Sequence, residues 1–315
     1  MPLNDLTRLT ATRAVALLSQ REISATDLVD AAIERIESVD TIINALPIRC
    51  FERARERARG FDQSKCDDEA SLLRGLPIAV KDYNDLAGVR TTYGSPIFAE
   101  NVPDVSDATV ARLEANGANP IAKSNVPEWA GGNTFNPVFG ATRNPWNTVM
   151  SAGGSSGGSA AALASGMVWL ATGNDLGGSL RTPAGFNSIV GLRPGPGLVP
   201  RGSRLQAFDT LWVEGPMGRC VEDVALMLDA GCGHDPADPF SYDAGPANYR
   251  AAVLRDQAPA RIAFSADLRI VPMAREIAEI CATAVGRCAD LGADVTDDAP
   301  DFTGALEGFQ TLRAV

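Results

Sequence analysis

The sequence predicts an α/β fold, in which helical segments alternate with short apolar strands. Residues 75–82 form a short apolar run that ends in a charged pair, as expected of a buried strand that meets a loop. Residues 107–116 have helical spacing, stop at Gly117 and are followed at once by a strand-like run over residues 119–123. Because helices that alternate with strands pack onto a sheet, we expect an α/β architecture.

The N-terminal part is predicted to be helical. Apolar residues recur at helical spacing over residues 10–39, and Ser24 and Asp27 match a capping box with Asp in the place of Glu or Gln. A second, charged helical segment follows, and a polar loop ends this part. We therefore predict an N-terminal helical segment, residues 1–70, that packs on an α/β core formed by residues 71–315.

After a long loop, the rest of the chain is again predicted to alternate between helices and strands. Residues 124–156 are rich in Gly and Pro, and a loop of this length is usually functional or disordered, but its Trp and Phe content argues against disorder. Residues 302–315 begin another element at which the sequence stops. The elements predicted in between are a helix of small residues over 159–167, a strand over 168–172, a helix over 222–229, a strand over 261–264, an amphipathic helix over 272–291 and a strand over 293–296.

Composition argues against several classes of function. The 315 residues carry a formal net charge of −11, whereas nucleic acids and anionic membranes are bound by clustered Lys and Arg. No apolar run reaches membrane-spanning length and the N-terminus does not resemble a signal peptide, so we predict a cytoplasmic protein. No HExxH motif is present, and we expect neither a metal nor a cofactor. A homodimer is compatible with all of this.

The cysteines are sparse for a chain of this length. None of the six forms a CxxC pair, and six are too few for a disulfide scaffold in a chain of this size. We predict reduced, mostly buried thiols at Cys50, Cys66, Cys220, Cys232, Cys281 and Cys288.

Two glycine-flanked serine motifs are the most informative part of the sequence. The first is GGSSGGS over residues 153–159 and the second is NDLGGSLR over residues 174–181. Taken alone, the first is compatible with a flexible linker, an anion cradle at a helix N-terminus or a catalytic serine loop. A catalytic loop is favoured, because an apolar helix follows and the spacing matches neither GxGxxG nor GxxxxGK[ST]. In the second motif, the glycines before Ser179 allow backbone N–H groups to face an oxyanion.

A serine nucleophile needs a base, and histidine is scarce. His234 is the single histidine, and its turn sequence GCGHDP indicates a loop residue. Lys81 ends the predicted strand, and burial there would favour the neutral amine and lower the lysine pKa. A lysine at a strand end is by itself more often a surface charge, so the residues alone leave the base open.

Taken in order, these motifs resemble the amidase signature family of serine hydrolases. The resemblance extends from about Gly75 to about Asp229 and implies the fold of that family, a mixed central β-sheet covered by helices on both faces. The segments that carry it are Ile78–Asp82, Gly153–Ser159, Asp175–Arg181, Pro183–Ala184, Val190–Pro194 and Gly215–Met217.

The resemblance implies a Ser–cis-Ser–Lys triad. Ser179 matches the nucleophile, Ser155 the bridging serine and Lys81 the base, and the family's cis peptide would precede Ser155. Such a triad cleaves the C–N bond of a small-molecule carboxamide through an acyl-enzyme, with carbamates and esters as related substrates. Backbone N–H groups of Leu176, Gly177 and Gly178 are expected to form the oxyanion hole, with that of Ser179 as a further candidate. Supporting roles are implied for Ser156, Asp175 and Arg181.

Some positions leave alternatives open. Asn174 stands where many members have Thr, which should alter loop hydrogen bonding without affecting the triad. Thr182 stands where tRNA-linked members often have Gln, which weighs against the second candidate, the A subunit of a glutamine-dependent tRNA amidotransferase. Trp129 and Phe135 are candidates for an apolar substrate pocket, although loop aromatics are more often packing anchors.

The short length of the sequence, compared with members of the family, raises the hypothesis that the protein is not an enzyme. Family members usually continue well beyond the matched region, so the sequence looks shortened at its C-terminal end. An unfinished sheet would leave a strand edge exposed. An inactive fragment or scaffold that retains the site residues is therefore the third hypothesis.

Overall fold

A six-stranded mixed sheet forms the centre of the structure, a computed structural model that describes residues 3–64, 71–202, 206–243, 245, 248–255 and 259–314. The strands of this sheet are β1 Ile48–Arg49, β2 Pro77–Lys81, β3 Asn119–Ser124, β6 Leu170–Asp175, β7 Val190–Gly191 and β8 Val213–Gly218. The two remaining strands of this part of the chain, β4 Phe135–Asn136 and β5 Gly140–Ala141, form a separate two-stranded hairpin. The order across the sheet is β1-β3-β2-β6-β8-β7. Strands β3, β2 and β6 are parallel, whereas β1, β8 and β7 run antiparallel to their neighbours.

Helices cover both faces of this sheet. They are α1 Leu3–Leu6, α2 Ala11–Ser19, α3 Ala25–Ile43, α4 Phe51–Gln63, α5 Ala108–Ala115, α6 Gly157–Ala164, α7 Arg181–Asn187, α8 Val221–Gly231 and α9 Tyr249–Val253. Helices α3 and α6 contact β2, α4 contacts β3, and α8 contacts β8. The predicted α/β fold with a mixed, helix-covered sheet is confirmed.

The chain divides into two compact units, Met1–Val253 and Leu254–Val315. The first contains the whole mixed sheet, and the boundary predicted after residue 70 lies inside it. The second contains two parallel strands and two helices, β9 Arg261–Phe264, α10 Arg275–Asp290, β10 Asp294–Asp297 and α11 Ala305–Ala314.

The N-terminal helices show how local sequence sets element ends. The predicted helix over residues 10–39 is two helices, because the chain turns at Arg21, whose φ is 56°. The predicted capping box is present: the N–H of Asp27 donates to Ser24 Oγ at 3.0 Å, and the N–H of Ser24 donates to Asp27 Oδ2 at 2.8 Å. These bonds satisfy N–H groups that a helix start leaves without partners.

Strand direction gathers the polar residues at one edge of the sheet. Lys81, Ser124 and Asp175 are the last residues of the parallel strands β2, β3 and β6. Strand β8 runs the other way, so its first residues reach the same edge, with Val213 opposite Asp175 and Glu214 opposite Asn174. The candidate site residues therefore emerge together.

Strand β8 has no counterpart in the sequence prediction. It contains Gly215 and Pro216, and proline is normally confined to edges or ends of sheets because it lacks an N–H. Pro216 still takes part in backbone hydrogen bonding through its carbonyl, which accepts the N–H of Leu192 at 3.2 Å. Strand β7 and helix α7, both short, were likewise not predicted.

Helix α6 fits against its neighbours with almost no clearance. A Cβ added to Gly158 would lie 2.4 Å from the backbone N of Asn125, which follows β3. A Cβ on Gly157 would lie 2.3 Å from Thr134 Oγ1. Glycine at these positions lets the serine motif approach the loop after β3, and the helix begins two residues before its predicted start.

Two further expectations concern membrane association and thiols. Across the described ranges, no helix has both the length and the apolar character needed to cross a membrane. The thiols described are free, as predicted, but only Cys50 is buried, so the expectation of mostly buried cysteines is wrong. Cys66 lies outside the described residues.

Candidate active site

Lys81 occupies the centre of the candidate site, at the end of β2. Its side chain is fully buried, and its Nζ lies 2.7 Å from Ser155 Oγ, 2.8 Å from Ser156 Oγ and 2.6 Å from Asn174 Oδ1. Its backbone N–H donates to Thr172 Oγ1 at 2.8 Å, on the neighbouring strand β6. The lysine is therefore fixed by the sheet and faces Ser155 and Ser156 of the first motif.

Burial gives this lysine an unusual pKa. Desolvation penalises the ammonium form and lowers the pKa of Lys81 to about 7, although the carboxylates of Glu214 and Asp175 oppose the shift. An ordinary lysine has a pKa near 10.4 and carries its proton at neutral pH. Lys81 is accordingly poised to exchange a proton near pH 7.

The three oxygens around Nζ define what each protonation state can do. An ammonium has three N–H donors and can satisfy all three oxygens, whereas a neutral amine has two donors and one lone pair. The amide oxygen of Asn174 can only accept, so a lone pair on Lys81 must face a serine hydroxyl. The arrangement therefore allows Lys81 to take a proton from Ser155 or Ser156.

The first serine motif is held by its backbone. The peptide bond between Gly154 and Ser155 is cis, at the position that the family resemblance implies. The N–H of Gly157 donates to Thr134 Oγ1 at 3.0 Å, and that hydroxyl lies 3.4 Å from the carbonyl oxygen of Ser155. Ser155 and Ser156 are both buried against Lys81.

Ser179 lies in the loop that joins β6 to α7 and is partly exposed. Its carbonyl oxygen accepts the N–H of Ser156 at 3.3 Å. This bond ties the two serine motifs together, although Ser155 and Ser179 are 24 positions apart in the sequence. Ser179 is thus the more accessible of the two serines that the resemblance selects.

Asp175 organises the Ser179 loop from inside. Its buried carboxylate accepts the N–H groups of Gly178 at 2.7 Å and Leu180 at 3.2 Å, and Arg181 donates to both carboxylate oxygens at 3.0 Å. Burial alone raises the pKa of Asp175, but the bonds from Arg181, Gly178 and Leu180 outweigh it and hold that pKa below its usual value. The supporting role expected of Asp175 and Arg181 has a clear physical basis.

The same bonds change the expected oxyanion hole. The N–H of Gly178 is directed at the Asp175 carboxylate, so it is not free for a substrate oxygen. Gly178 has a φ of 120°, a left-handed conformation that favours glycine. Of the predicted donors, the N–H groups of Leu176, Gly177 and Ser179 remain, and Gly178 instead shapes the turn.

Sequence reasoning missed a second buried lysine. Lys123 and Asp82 form a fully buried ion pair at 3.2 Å, and Lys123 Nζ also donates to Thr91 Oγ1 and to the carbonyl of Asn84. Asp82 in turn accepts the hydroxyl of Thr92 at 2.5 Å. The pair fixes the loop after Lys81. The two charges are far apart in the sequence, and the parallel pairing of β2 with β3 brings them together.

The predicted aromatic residues lie in different surroundings. Trp129 is 48% exposed, and its ring contacts Tyr83, Tyr93 and Phe98. Phe135, on strand β4, is 64% exposed and does not belong to this group. Within the described residues, no group of three His, Cys, Asp or Glu side chains is placed to hold a metal.

Comparison with known proteins identifies the family. The Amidase family model matches residues 27–312. The A subunit of the glutamyl-tRNA(Gln) amidotransferase of Moorella thermoacetica is 39% identical over 92% of this chain and 60% of its own length. An acylamidase of Rhodococcus erythropolis is 34% identical over 95% of this chain and 63% of its own length. The chain thus spans about 60% of the curated relatives it matches.

Solved structures give the same result. A bacterial aryl acylamidase of the amidase signature family superposes with a TM-score of 0.87 and 28% identity, covering 97% of this chain and 67% of the other. A 6-aminohexanoate cyclic dimer hydrolase complexed with substrate gives a TM-score of 0.88 and 31% identity, covering 98% of this chain and 64% of the other. The matched sequence, the shared fold and the ordered motifs lead to one conclusion: the chain belongs to the amidase signature family.

Proposed function

We propose that this protein hydrolyses carboxamides through an acyl-enzyme on Ser179, with Ser155 as proton relay and Lys81 as base. The observation that carries the proposal is the fully buried Lys81, with a pKa of about 7 and its Nζ 2.7 Å from Ser155 Oγ. A general base works best when its pKa is near the working pH. Family membership supports amide hydrolysis as the reaction class.

The first half of the reaction transfers the acyl group. Neutral Lys81 accepts the hydroxyl proton of Ser155, whose oxygen accepts the proton of Ser179 as Ser179 Oγ bonds to the amide carbonyl carbon. The carbonyl π electrons move onto its oxygen, which the N–H groups of Leu176 and Gly177 stabilise. The C–N bond then breaks, and the leaving nitrogen takes the proton that the relay returns.

The second half regenerates the serine. Water attacks the ester carbon and passes its proton through Ser155 to Lys81. The ester C–O bond then breaks, and the relay returns the proton to Ser179. Ser156 supports this cycle by contacting Lys81 Nζ at 2.8 Å. Carbamates and esters fit the same chemistry, since each presents a carbonyl with a leaving group.

The test uses the full-length protein with a fluorophosphonate probe and a panel of anilides, primary amides, carbamates and esters. Ser179→Ala is expected to lose both labelling and turnover, and Lys81→Ala to lose most turnover while keeping its fold. Ser38→Ala changes an exposed serine on α3 and serves as the matched control. Labelling that persists in Ser179→Ala would remove Ser179 as the nucleophile.

A second candidate function is that of the A subunit in a glutamine-dependent tRNA amidotransferase. It is favoured by the 39% identity to the Moorella thermoacetica protein. Thr182, where tRNA-linked members often have Gln, weighs against it. Ammonia release from glutamine only in the presence of partner subunits would select this function over a free-standing amidase, and the absence of any Ser179-dependent activity would favour the scaffold hypothesis.

Two assignments accompany the main proposal. We place the protein in the cytoplasm, and its partner is a small-molecule amide rather than nucleic acid or membrane, in keeping with its net charge of −11. Its oligomeric state, with a homodimer among the options, is decided by light scattering of the full-length protein.

A further inference from the structure

We propose that five aromatic side chains at the active-site edge, here called the aromatic wall, bind an aryl group of the substrate. The wall consists of Tyr83, Tyr93, Phe98, Trp129 and Trp212. The inference rests on the amide hydrolysis proposed above and adds to it a substrate class, amides that carry a planar aromatic ring.

The location of the wall follows from strand register. Tyr83 lies two residues beyond Lys81, the end of β2, and Trp129 lies five residues beyond Ser124, the end of β3. Trp212 directly precedes Val213, which pairs with Asp175 at the end of β6. Three rings from three strand ends therefore leave the sheet at the edge where the Ser179 loop begins.

The rings form one continuous surface. Tyr83 and Trp212 have centroids 4.8 Å apart, and Trp129 stacks on Tyr93 at 5.4 Å with planes 10° apart. Tyr83 joins these two pairs edge-on, at 6.4 Å from Trp129. Offset and edge-to-face contacts of this kind are the favourable geometries of aromatic rings, and a further ring can extend them.

The wall is partly exposed to solvent. Trp129 is 48% exposed, and Tyr83, Tyr93 and Trp212 are each partly exposed. Large aromatic rings that are exposed beside a reaction centre are typical of ligand-binding sites, where a bound ligand covers the apolar surface. A flat, neutral ring matches that surface better than a charged or strongly hydrated group does.

The wall is preorganised by its backbone. Trp129 has left-handed dihedral angles, φ 50° and ψ 32°, and its N–H donates to the carbonyl of Tyr93 at 2.9 Å. Gly94 comes so close that an added Cβ would lie 2.9 Å from the backbone of Pro127 and Glu128. Ser95 Oγ donates to Glu128 Oε1 at 2.7 Å, which fastens the two loops a second time. Rings held in this way lose little freedom when a ligand binds.

The wall is also connected to the base. Trp212 Nε1 donates to Glu214 Oε1 at 3.0 Å, and Asn84 Nδ2 donates to Glu214 Oε2 at 3.1 Å. The Glu214 carboxylate is one of the two that act on the pKa of Lys81. The binding surface and the proposed catalytic lysine thus share a buried neighbour, which places the ring subsite next to the chemistry.

The experiment compares aryl and alkyl substrates in pairs with the full-length enzyme. Benzamide against butyramide tests a ring on the acyl side, and acetanilide against N-propylacetamide tests a ring on the amine side. Trp129→Ala is expected to lower the aryl-to-alkyl ratio of kcat/KM about tenfold in one pair, with Trp129→Phe retaining most of that ratio. Phe208→Ala, at an exposed ring outside the wall, is the control.

The outcomes separate the two proposals. Loss of the ratio in one pair supports the wall and shows which part of the substrate it holds. An unchanged ratio in both pairs for Trp129→Ala and for Trp212→Phe, with turnover still dependent on Ser179, would overturn the wall and leave amide hydrolysis standing. Turnover of every substrate by Ser179→Ala would instead overturn the proposed function.

Discussion

The amide oxygen of Asn174 lies 2.6 Å from Nζ of Lys81. The expectation that Asn174 leaves the triad unaffected is therefore wrong, since the side chain touches the proposed base directly. Its Nδ2 has no hydrogen-bond partner among the described residues, although the side chain is buried. Asn174 thus orients Lys81 through its oxygen alone.

This contact gives a pH prediction. Asn174→Asp places a carboxylate beside Lys81, which stabilises the ammonium and raises its pKa. Because only the neutral amine can accept a proton, the acidic limb of kcat/KM should move to higher pH by about one unit or more. Asn174→Ala, which removes the oxygen without adding charge, should not move it upward. An acidic limb in Asn174→Asp that overlays the unmodified enzyme would contradict the prediction.

The unmodified enzyme should itself show the pKa of Lys81. Burial depresses that pKa to about 7, so the fraction of neutral amine rises as pH increases through this value. We expect kcat/KM to fall about tenfold per pH unit below the pKa and to level off above it. A profile measured from pH 5 to 9 with a neutral amide checks this, and a rate independent of pH across that range would exclude Lys81 as the base.

The buried pair Asp82–Lys123 predicts a stability effect. Asp82→Asn leaves Lys123 as a buried charge without its partner, which should lower the free energy of unfolding by about 3–5 kcal/mol. The double variant Asp82→Asn with Lys123→Met should lose less than the sum of the two single variants. Urea unfolding of the full-length protein measures both.

An exposed ion pair supplies the comparison for that experiment. Arg275 and Glu279 on α10 lie 2.7 Å apart with side chains 92% and 62% exposed. Glu279→Gln should change the free energy of unfolding by less than about 1 kcal/mol, because solvent screens surface pairs. Equal losses in Asp82→Asn and Glu279→Gln would mean that burial does not control the effect.

Two glycines make a matched packing test. Gly158→Ala forces a Cβ to within 2.4 Å of the backbone of Asn125 and should destabilise the protein by about 1–3 kcal/mol and reduce activity. Gly185→Ala, on α7, meets no atom within 4 Å and should stabilise by about 0.5–1 kcal/mol. Thermal unfolding and amide turnover of both variants check this, and a neutral Gly158→Ala would refute the close fit of α6.

Features of the fold that depend on residues close together in the sequence could be predicted. The capping box at Ser24 and Asp27, strand β2 and helix α5 depend on residues within a few positions of each other, and all three were predicted. Strand β8 was missed because Gly215 and Pro216 oppose strand propensity, and pairing with β6 and β7 overrides it.

Only part of the candidate site could be predicted from the sequence. Its serines stand out because glycine-rich turns leave a clear pattern in the sequence, whereas Lys81 was assigned as the base by the family resemblance. The partners of Lys81 and Lys123 were not predicted, since Asn174, Asp82 and Thr91 reach them across neighbouring strands and loops. The direction of the Gly178 N–H depends on the Asp175 side chain, which no spacing rule predicts.

Glu214 connects the aromatic wall to the proposed base. Its carboxylate accepts a hydrogen bond from the indole N–H of Trp212, and its negative charge raises the pKa of Lys81. A ligand that displaces the Trp212 indole would alter the field at the lysine. The pH dependence of kcat would then differ between substrates that contact Trp212 and substrates that do not. Rates of different amides compared at a single pH would then mix recognition with proton affinity, and only full pH profiles would rank them.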